Sequence, residues 1–178
     1  MELKAFNIAF AGLKVGQHQF EYEVDNTFFE NFGFEEFNSS SLAVTAVLDK
    51  RTTIMDLKLT AHGVVNVNCD VTNEPFDLPV EVDMDLVIKF GEEFNDENIE
   101  LLILPHGEYQ FNISQYVYEM IVLSIPQKRV HPGVEDGTLD SEVLDKLDEL
   151  SVAAPEEKET EQVDPRWDVL KKLKTDNN

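Results

Sequence analysis

The chain has 178 residues, of which 42% are apolar, enough for one folded domain with a sizeable core. Its 36 acidic residues outnumber 14 basic ones and give a net charge of −22. A surface this negative repels phosphate, which argues against broad binding of nucleic acid or anionic membranes, and it attracts basic proteins. The single cysteine, Cys69, excludes an internal disulfide and fits a reducing compartment.

No segment has the pattern of a membrane span or of a secretory signal. Residues 1–13 carry Glu2 and Lys4 before a short apolar stretch, and no apolar run reaches about 18 residues. We therefore expect a cytoplasmic protein.

The first two-thirds of the chain is rich in the alternating patterns that are typical of β-strands. Residues 18–24 place apolar and acidic side chains on opposite faces, and long extended segments follow at 41–48, 53–68 and 76–90. One apolar face and one polar face per strand favour an antiparallel meander, curled towards a barrel. Gly63 is a candidate β-bulge in the second long segment.

Five phenylalanines crowd the segment between the first strand and the long ones. They are Phe28, Phe29, Phe32, Phe34 and Phe37. We expect a helical turn or two there, ending near Gly33. No Lys or Arg is interleaved with these rings, so they are expected in the core and not on a platform that stacks bases.

Helical signals dominate the later part of the chain. Residues 114–124 combine apolar side chains at three- and four-residue spacing with Ser114 as a candidate cap and Pro126 beyond the end, with a buried strand as the alternative. A second helix is predicted at 139–150. A polar linker at 151–163 and a closing short helix from Asp164 and Pro165 follow.

These elements predict an α+β fold with a strongly curled antiparallel sheet and a few helices, mainly C-terminal. Residues 92–97 are interpreted as an acidic loop, and residues 99–104 as a short strand. The predicted division is a β-rich core domain at 1–133 and an acidic helical segment at 134–178.

No motif of catalysis or cofactor binding is present. Walker, Gly-rich dinucleotide, nucleophile-elbow and zincin patterns are all missing. The four histidines (His18, His62, His106 and His131) are scattered, and no pair of metal ligands stands at the usual short spacing. The sequence therefore predicts no catalytic residue, no cofactor and no metal site.

Two places are candidates for binding a partner. Glu119 is the only charged residue between 113 and 125. It is either tethered to Lys128, to Arg129 or to a backbone amide, or it is an anchor for a partner. Lys128, Arg129 and His131 form the one local basic patch, which either touches a phosphate or carboxylate or neutralises nearby acids. The stretch 134–162 carries 11 acidic and 2 basic residues and is either a solvated face or a contact arm.

Three ordered stretches resemble the YceD family of large ribosomal RNA subunit accumulation proteins. Residues 67–80 resemble the family segment in which a CxxC-type pair precedes a strand, and residues 112–126 match its Glu followed by an apolar ending before Pro. Asp164, Pro165, Arg166 and Trp167, with Leu170 and Leu173, resemble its closing helix. Cys69 occupies the first position of the pair. Thr72 stands where many members carry the second cysteine, which argues against a zinc-binding role.

The resemblance implies a non-enzymatic accessory factor in large ribosomal subunit biogenesis and 23S ribosomal RNA accumulation. Because of its charge, we expect the chain to bind a basic ribosomal protein or assembly factor, with RNA reached indirectly. Candidate partner-binding residues are Glu119, Lys128, Arg129, His131, Arg166 and Trp167. Two alternatives remain open: a small-ligand binder or enzyme with a pocket inside the curled sheet, and a direct ribosomal RNA binder.

Overall fold

The structure is a computed structural model that describes residues 3–150, except for the side chains of Glu135 and Asp148. The chain divides into two compact units, residues 1–139 and residues 140–178. The first unit carries all of the described strands. In the second, the structure describes one helix.

Eight strands of the described residues form two sheets in the first unit. They are β1 (Asn7–Ala9), β2 (Gly16–Asp25), β3 (Ser39–Lys50), β4 (Ile54–Asn68), β5 (Pro75–Gly91), β6 (Asn95–Asn98), β7 (Leu101–Pro105) and β8 (Gln110–Asn112). The large sheet has the order β2-β3-β4-β5-β7-β6, and β1 pairs with β8 separately. All neighbours are antiparallel except β5 and β7, which run parallel.

The helices of the described residues are short. A 3-10 turn at Leu3–Phe6 precedes α1 (Asn26–Glu30), α2 (Ser114–Ser124), α3 (Pro132–Glu135) and α4 (Glu142–Leu150). The bounds of α2 are those predicted. Its first backbone N–H donates to Asn112 Oδ1 over 2.9 Å, so the side chain of Asn112, and not that of Ser114, satisfies this end of the helix. None of the helices among residues 3–150 is long and apolar enough to cross a membrane.

The core lies on one face of the large sheet, where the alternating apolar side chains of β2–β5 point. Helices α1 and α2 place Phe28, Phe29, Val117 and Ile121 in the same buried cluster. The phenylalanine cluster is core, as predicted: Phe29 packs edge-on against Phe37 with ring centroids 5.0 Å apart.

Three predictions about the fold are wrong. The sheet is mixed and open, with β2 and β6 as edges, and is neither purely antiparallel nor strongly curled. The helices are not mainly C-terminal, because the 3-10 turn and α1 precede β3. The predicted acidic loop at 92–97 contributes to the edge strand β6, which pairs with β7 through a register shift.

Gly63 is a point of close approach between strands and not a bulge. The pairing of β4 with β3 and with β5 runs through it without a shift, opposite Leu42 and Val80. Its φ is +149°, and a Cβ built there would lie 2.2 Å from the carbonyl oxygen of Ser41. Only a residue without a side chain fits this backbone.

Candidate functional site

Two rows of carboxylates run along the outer face of the large sheet. On each of β2 and β5, every second side chain points away from the core, and most of these side chains are exposed. These side chains are Glu21, Glu23 and Asp25 on β2, and Glu81, Asp83 and Asp85 on β5. We call this outer surface of β2–β5 the acidic face.

In its two middle rows, the strip between the carboxylates is made of small or neutral side chains, whereas the next row brings Lys58 opposite Asp85. In one row of the register, Glu23 on β2 leads through Ala43 and His62 to Glu81 on β5. In the next row, Glu21 leads through Thr45 and Thr60 to Asp83. Adjacent strands lie about 4.8 Å apart, so the two carboxylate rows are separated by about 14 Å.

Few cations offset these acids. Lys58 Nζ lies 3.8 Å from a carboxylate oxygen of Asp83, with both side chains more than half exposed. Such exposed pairs contribute little, typically well under 1 kcal/mol. An open hollow of about 480 Å³ lies at one end of the strip, beside Glu23, Asp25 and His62. The acidic face therefore keeps a strong negative potential over an accessible surface.

The acidic face was missed as a site because its parts are far apart in the sequence. Alternation assigns the Glu and Asp of β2 and β5 to a wet face, and that much was predicted. Only the strand order shows that both rows lie on one surface, with β3 and β4 between them.

Glu119 lies on α2, where it lines a cleft, and it is not tethered to the basic patch. Its Oε1 accepts a hydrogen bond of 2.5 Å from Gln115 Nε2, one helical turn earlier. It is half-buried. Arg129 pairs with Glu36 and Asp70 instead, and no ion pair of the described residues joins Glu119 to Lys128, so the predicted tether to either cation is wrong.

Arg129 holds two distant segments together. Its guanidinium lies 3.2 Å from Glu36 Oε2 and 3.6 Å from Asp70 Oδ1, and its backbone N–H donates to Asp70 Oδ2 over 2.6 Å. The Asp70 N–H donates in return to the Arg129 carbonyl over 2.8 Å. With its charge matched by two carboxylates, Arg129 serves as a clamp. Of the predicted patch, Lys128 is the exposed cation.

The comparisons with known proteins decide the family. The model of the family described as large ribosomal RNA subunit accumulation protein YceD matches residues 57–174, about two-thirds of the chain. The chain belongs to the YceD family. No curated protein and no solved structure shows significant similarity to it. The family description connects the chain with accumulation of the large ribosomal subunit RNA.

Two of the three YceD-like stretches lie on described elements. Residues 67–80 form the end of β4, a turn and the start of β5, and residues 112–126 run from β8 through α2. The third stretch, with Arg166 and Trp167, lies outside the described residues, as do the predicted linker at 151–163 and the closing helix.

The YceD-pattern cysteine lies in the β4–β5 turn. Cys69 is 2% exposed, and the backbone N–H of His131 donates to its Sγ over 3.3 Å. His131 in turn packs edge-on against Phe76 and accepts a hydrogen bond from the Gly133 N–H at Nδ1. Among residues 3–150 no group of three or more His, Cys, Asp or Glu side chains is arranged to hold a metal ion. His131 and Cys69 are thus brought together as parts of one packed junction.

The Cys69 thiol is expected to have a lower pKa than an ordinary thiol, although it is buried. Burial opposes its ionisation, but the N–H of His131, the Thr72 hydroxyl and neighbouring backbone donors outweigh it and lower the pKa of the thiol to about 7. We expect thiolate absorbance at 240 nm to rise with a midpoint near pH 7, and Thr72→Val to raise that midpoint.

Because the folded pKa is depressed, this thiol adds stability above the unfolded pKa, and the gain is lost as pH falls through 7.

The control is Cys69→Ser, which should abolish the absorbance step while leaving tyrosine ionisation at higher pH. A wild-type midpoint above about pH 8.5, the ordinary value for a free thiol, would contradict the described hydrogen bonds.

Proposed function

We propose that the chain supports accumulation of large-subunit ribosomal RNA as a non-catalytic factor that binds a basic ribosomal protein or assembly factor on its acidic face. The observation that carries the proposal is the pair of parallel carboxylate rows on one open surface of a YceD-family protein. Ribosomal RNA is reached through the bound protein.

The spacing of the rows suits a cationic helix. An α-helix with its side chains is about 10–12 Å across, and the rows lie about 14 Å apart. A helix lying over Thr45 and Thr60 would send Lys or Arg side chains outward to both rows. The small side chains of Ala43, Thr45 and Thr60 leave room for the backbone of such a helix to approach.

Repulsion within each row favours the same partner. Successive outward side chains on a strand are about 7 Å apart, a distance at which two like charges in water repel by about 0.6 kcal/mol. Glu21, Glu23 and Asp25 form one such series, and Glu81, Asp83 and Asp85 form the other. A bound cation relieves this repulsion. The free energy of binding is therefore more favourable than the new contacts alone would make it.

Direct binding to RNA has less support. Phosphate contacts need accessible cations, and Arg129 is held between Glu36 and Asp70. Nor do the five clustered phenylalanines of residues 28–37 enclose a ligand pocket within the large sheet, which is open, since their rings pack against one another and against the core. Binding of a basic protein is the function that the charges favour.

The test compares two variants of equal net charge. The face variant replaces four carboxylates of the acidic face by amides: Glu21→Gln, Glu23→Gln, Glu81→Gln and Asp83→Asn. The matched variant replaces four exposed carboxylates elsewhere: Glu30→Gln, Glu35→Gln, Glu92→Gln and Glu93→Gln.

The immobilised 178-residue chain is exposed to proteins extracted from large ribosomal subunits at about 0.1 M salt, where screening acts over about 10 Å. We expect wild type and the matched variant to retain basic proteins, and the face variant to retain them about ten-fold less. Equal loss in both variants would show a nonspecific effect of net charge. Equal retention by all three would refute the acidic face as the binding surface.

A further inference from the structure

A cleft of about 400 Å³ lies beside α2, away from the acidic face. It is bounded by β6, β7, β8 and the first two turns of α2. Its volume falls within the range of pockets that hold ligands or peptide side chains. None of the contacts described for the acidic face involves its lining.

The floor of the cleft is apolar. Leu102 and Leu104 of β7 and Phe111 of β8 line it, and all three are buried. Phe94 stands at its rim and is 57% exposed. A large aromatic ring left this open beside an apolar floor offers a wall to an incoming apolar side chain.

The charged groups around this floor are all negative. Asp96, Glu108 and Glu119 line the cleft, and no Lys, Arg or His among the described residues does so. Burial, together with the charges of Asp96 and Glu119, raises the pKa of the Tyr116 hydroxyl to about 12. The cleft therefore disfavours further negative charge and favours a cation.

Polar groups that can orient a ligand are also present. The amides of Gln110 and Gln115 line the wall. The half-buried Tyr116 also lines the wall, and its hydroxyl makes no hydrogen bond to any of residues 3–150. Glu119 has one oxygen engaged by Gln115, which leaves its second oxygen for a guanidinium or ammonium group.

We propose that this cleft binds a segment of a basic protein in which an apolar side chain sits on the Leu102, Leu104 and Phe111 floor and an adjacent Arg or Lys pairs with Asp96 and Glu119. An RNA or an acidic peptide would place its charge against three carboxylates. A neutral apolar ligand would fill the floor but leave those carboxylates without a counter-charge. The proposal rests on the proposed function for the class of partner, and adds a second contact with its own recognition chemistry.

The probe is the capped peptide acetyl-Gly-Phe-Arg-Gly-amide, followed by NMR of the full chain. We expect shifts at the Leu102 and Leu104 methyls and the Gln115 side-chain amide. Replacing Arg by Gln in the peptide should weaken binding about five-fold, and replacing Phe by Ala about ten-fold. Glu119→Gln in the protein should weaken the Phe-Arg peptide about five-fold and leave the Phe-Gln peptide unchanged.

The matched control is Glu93→Gln, an exposed neighbour that does not line the cleft and should bind the Phe-Arg peptide like wild type. Equal binding of a Phe-Glu peptide, or shifts confined to the acidic face, would overturn the proposal. Shifts of the cleft that depend on protein concentration without peptide would make a second copy of the chain the occupant and also overturn it.

Failure of this proposal is distinguishable from failure of the proposed function. If the peptide does not bind while the face variant still loses basic proteins, the cleft proposal is wrong and the proposed function stands. If the peptide binds as described while wild type retains no ribosomal protein, the cleft proposal stands and the proposed function is wrong.

Discussion

Gly63→Ala is expected to reduce the free energy of unfolding by about 3–5 kcal/mol, a large share of the stability of a typical domain. Two effects add at this position. The φ of +149° strains any residue with a Cβ, and the new methyl group would lie 2.2 Å from the Ser41 carbonyl oxygen on β3. Both obstacles are backbone, so a side-chain rotation cannot relieve them. Denaturant unfolding followed by far-ultraviolet circular dichroism measures the loss.

Two other glycines separate the effects. Gly107 has φ of +103° with open space around its Cβ position, so Gly107→Ala should lose only about 1 kcal/mol from backbone strain. Gly12 has neither a positive φ nor a close neighbour, so Gly12→Ala should fall within about 0.5 kcal/mol of wild type. A Gly63→Ala protein as stable as Gly12→Ala would contradict the pairing of β3 with β4.

The parts of the fold that the sequence predicts are those with strong local signals. Helix α2 has apolar side chains at helical spacing and a Pro just beyond its end, which forces Ile125 into an extended conformation. The long strands alternate over 12 to 17 residues, so their faces follow directly from the period of two.

Local sequence signals do not predict which distant segments pair with each other. The parallel placement of β7 beside β5 depends on which strand edge is free in the folded chain. Strand β6 (Asn95–Asn98) is acidic and polar, without the β-branched and aromatic residues that announce a strand. It is a strand because β7 offers it backbone partners.

In the candidate sites too, local sequence signals predict some features, whereas contacts between distant segments decide the others. Arg129 was interpreted through its sequence neighbours, but its partners Asp70 and Glu36 are 59 and 93 residues away. Glu119 was singled out from its sequence neighbours, but the cleft that it lines is completed by β6, β7 and β8. Composition predicts an acidic surface, whereas the strand order is needed to show where the acids gather.

The second large effect is expected in cells. If a basic ribosomal protein binds the acidic face, replacing four carboxylates of this face should prevent that protein from reaching the large subunit. The fold of the variant chain itself should stay intact. These side chains are exposed, and exposed substitutions usually change stability by less than about 0.5 kcal/mol. A defect in the face variant would therefore report lost binding and not lost protein.

The most direct measurement is the ratio of large to small ribosomal subunits in cells depleted of this protein and supplied with wild type, the matched variant or the face variant at equal levels. We expect wild type and the matched variant to restore the ratio, and the face variant to leave it as low as in depleted cells. Full restoration by the face variant would contradict the claim that the protein works by holding a basic partner on this surface.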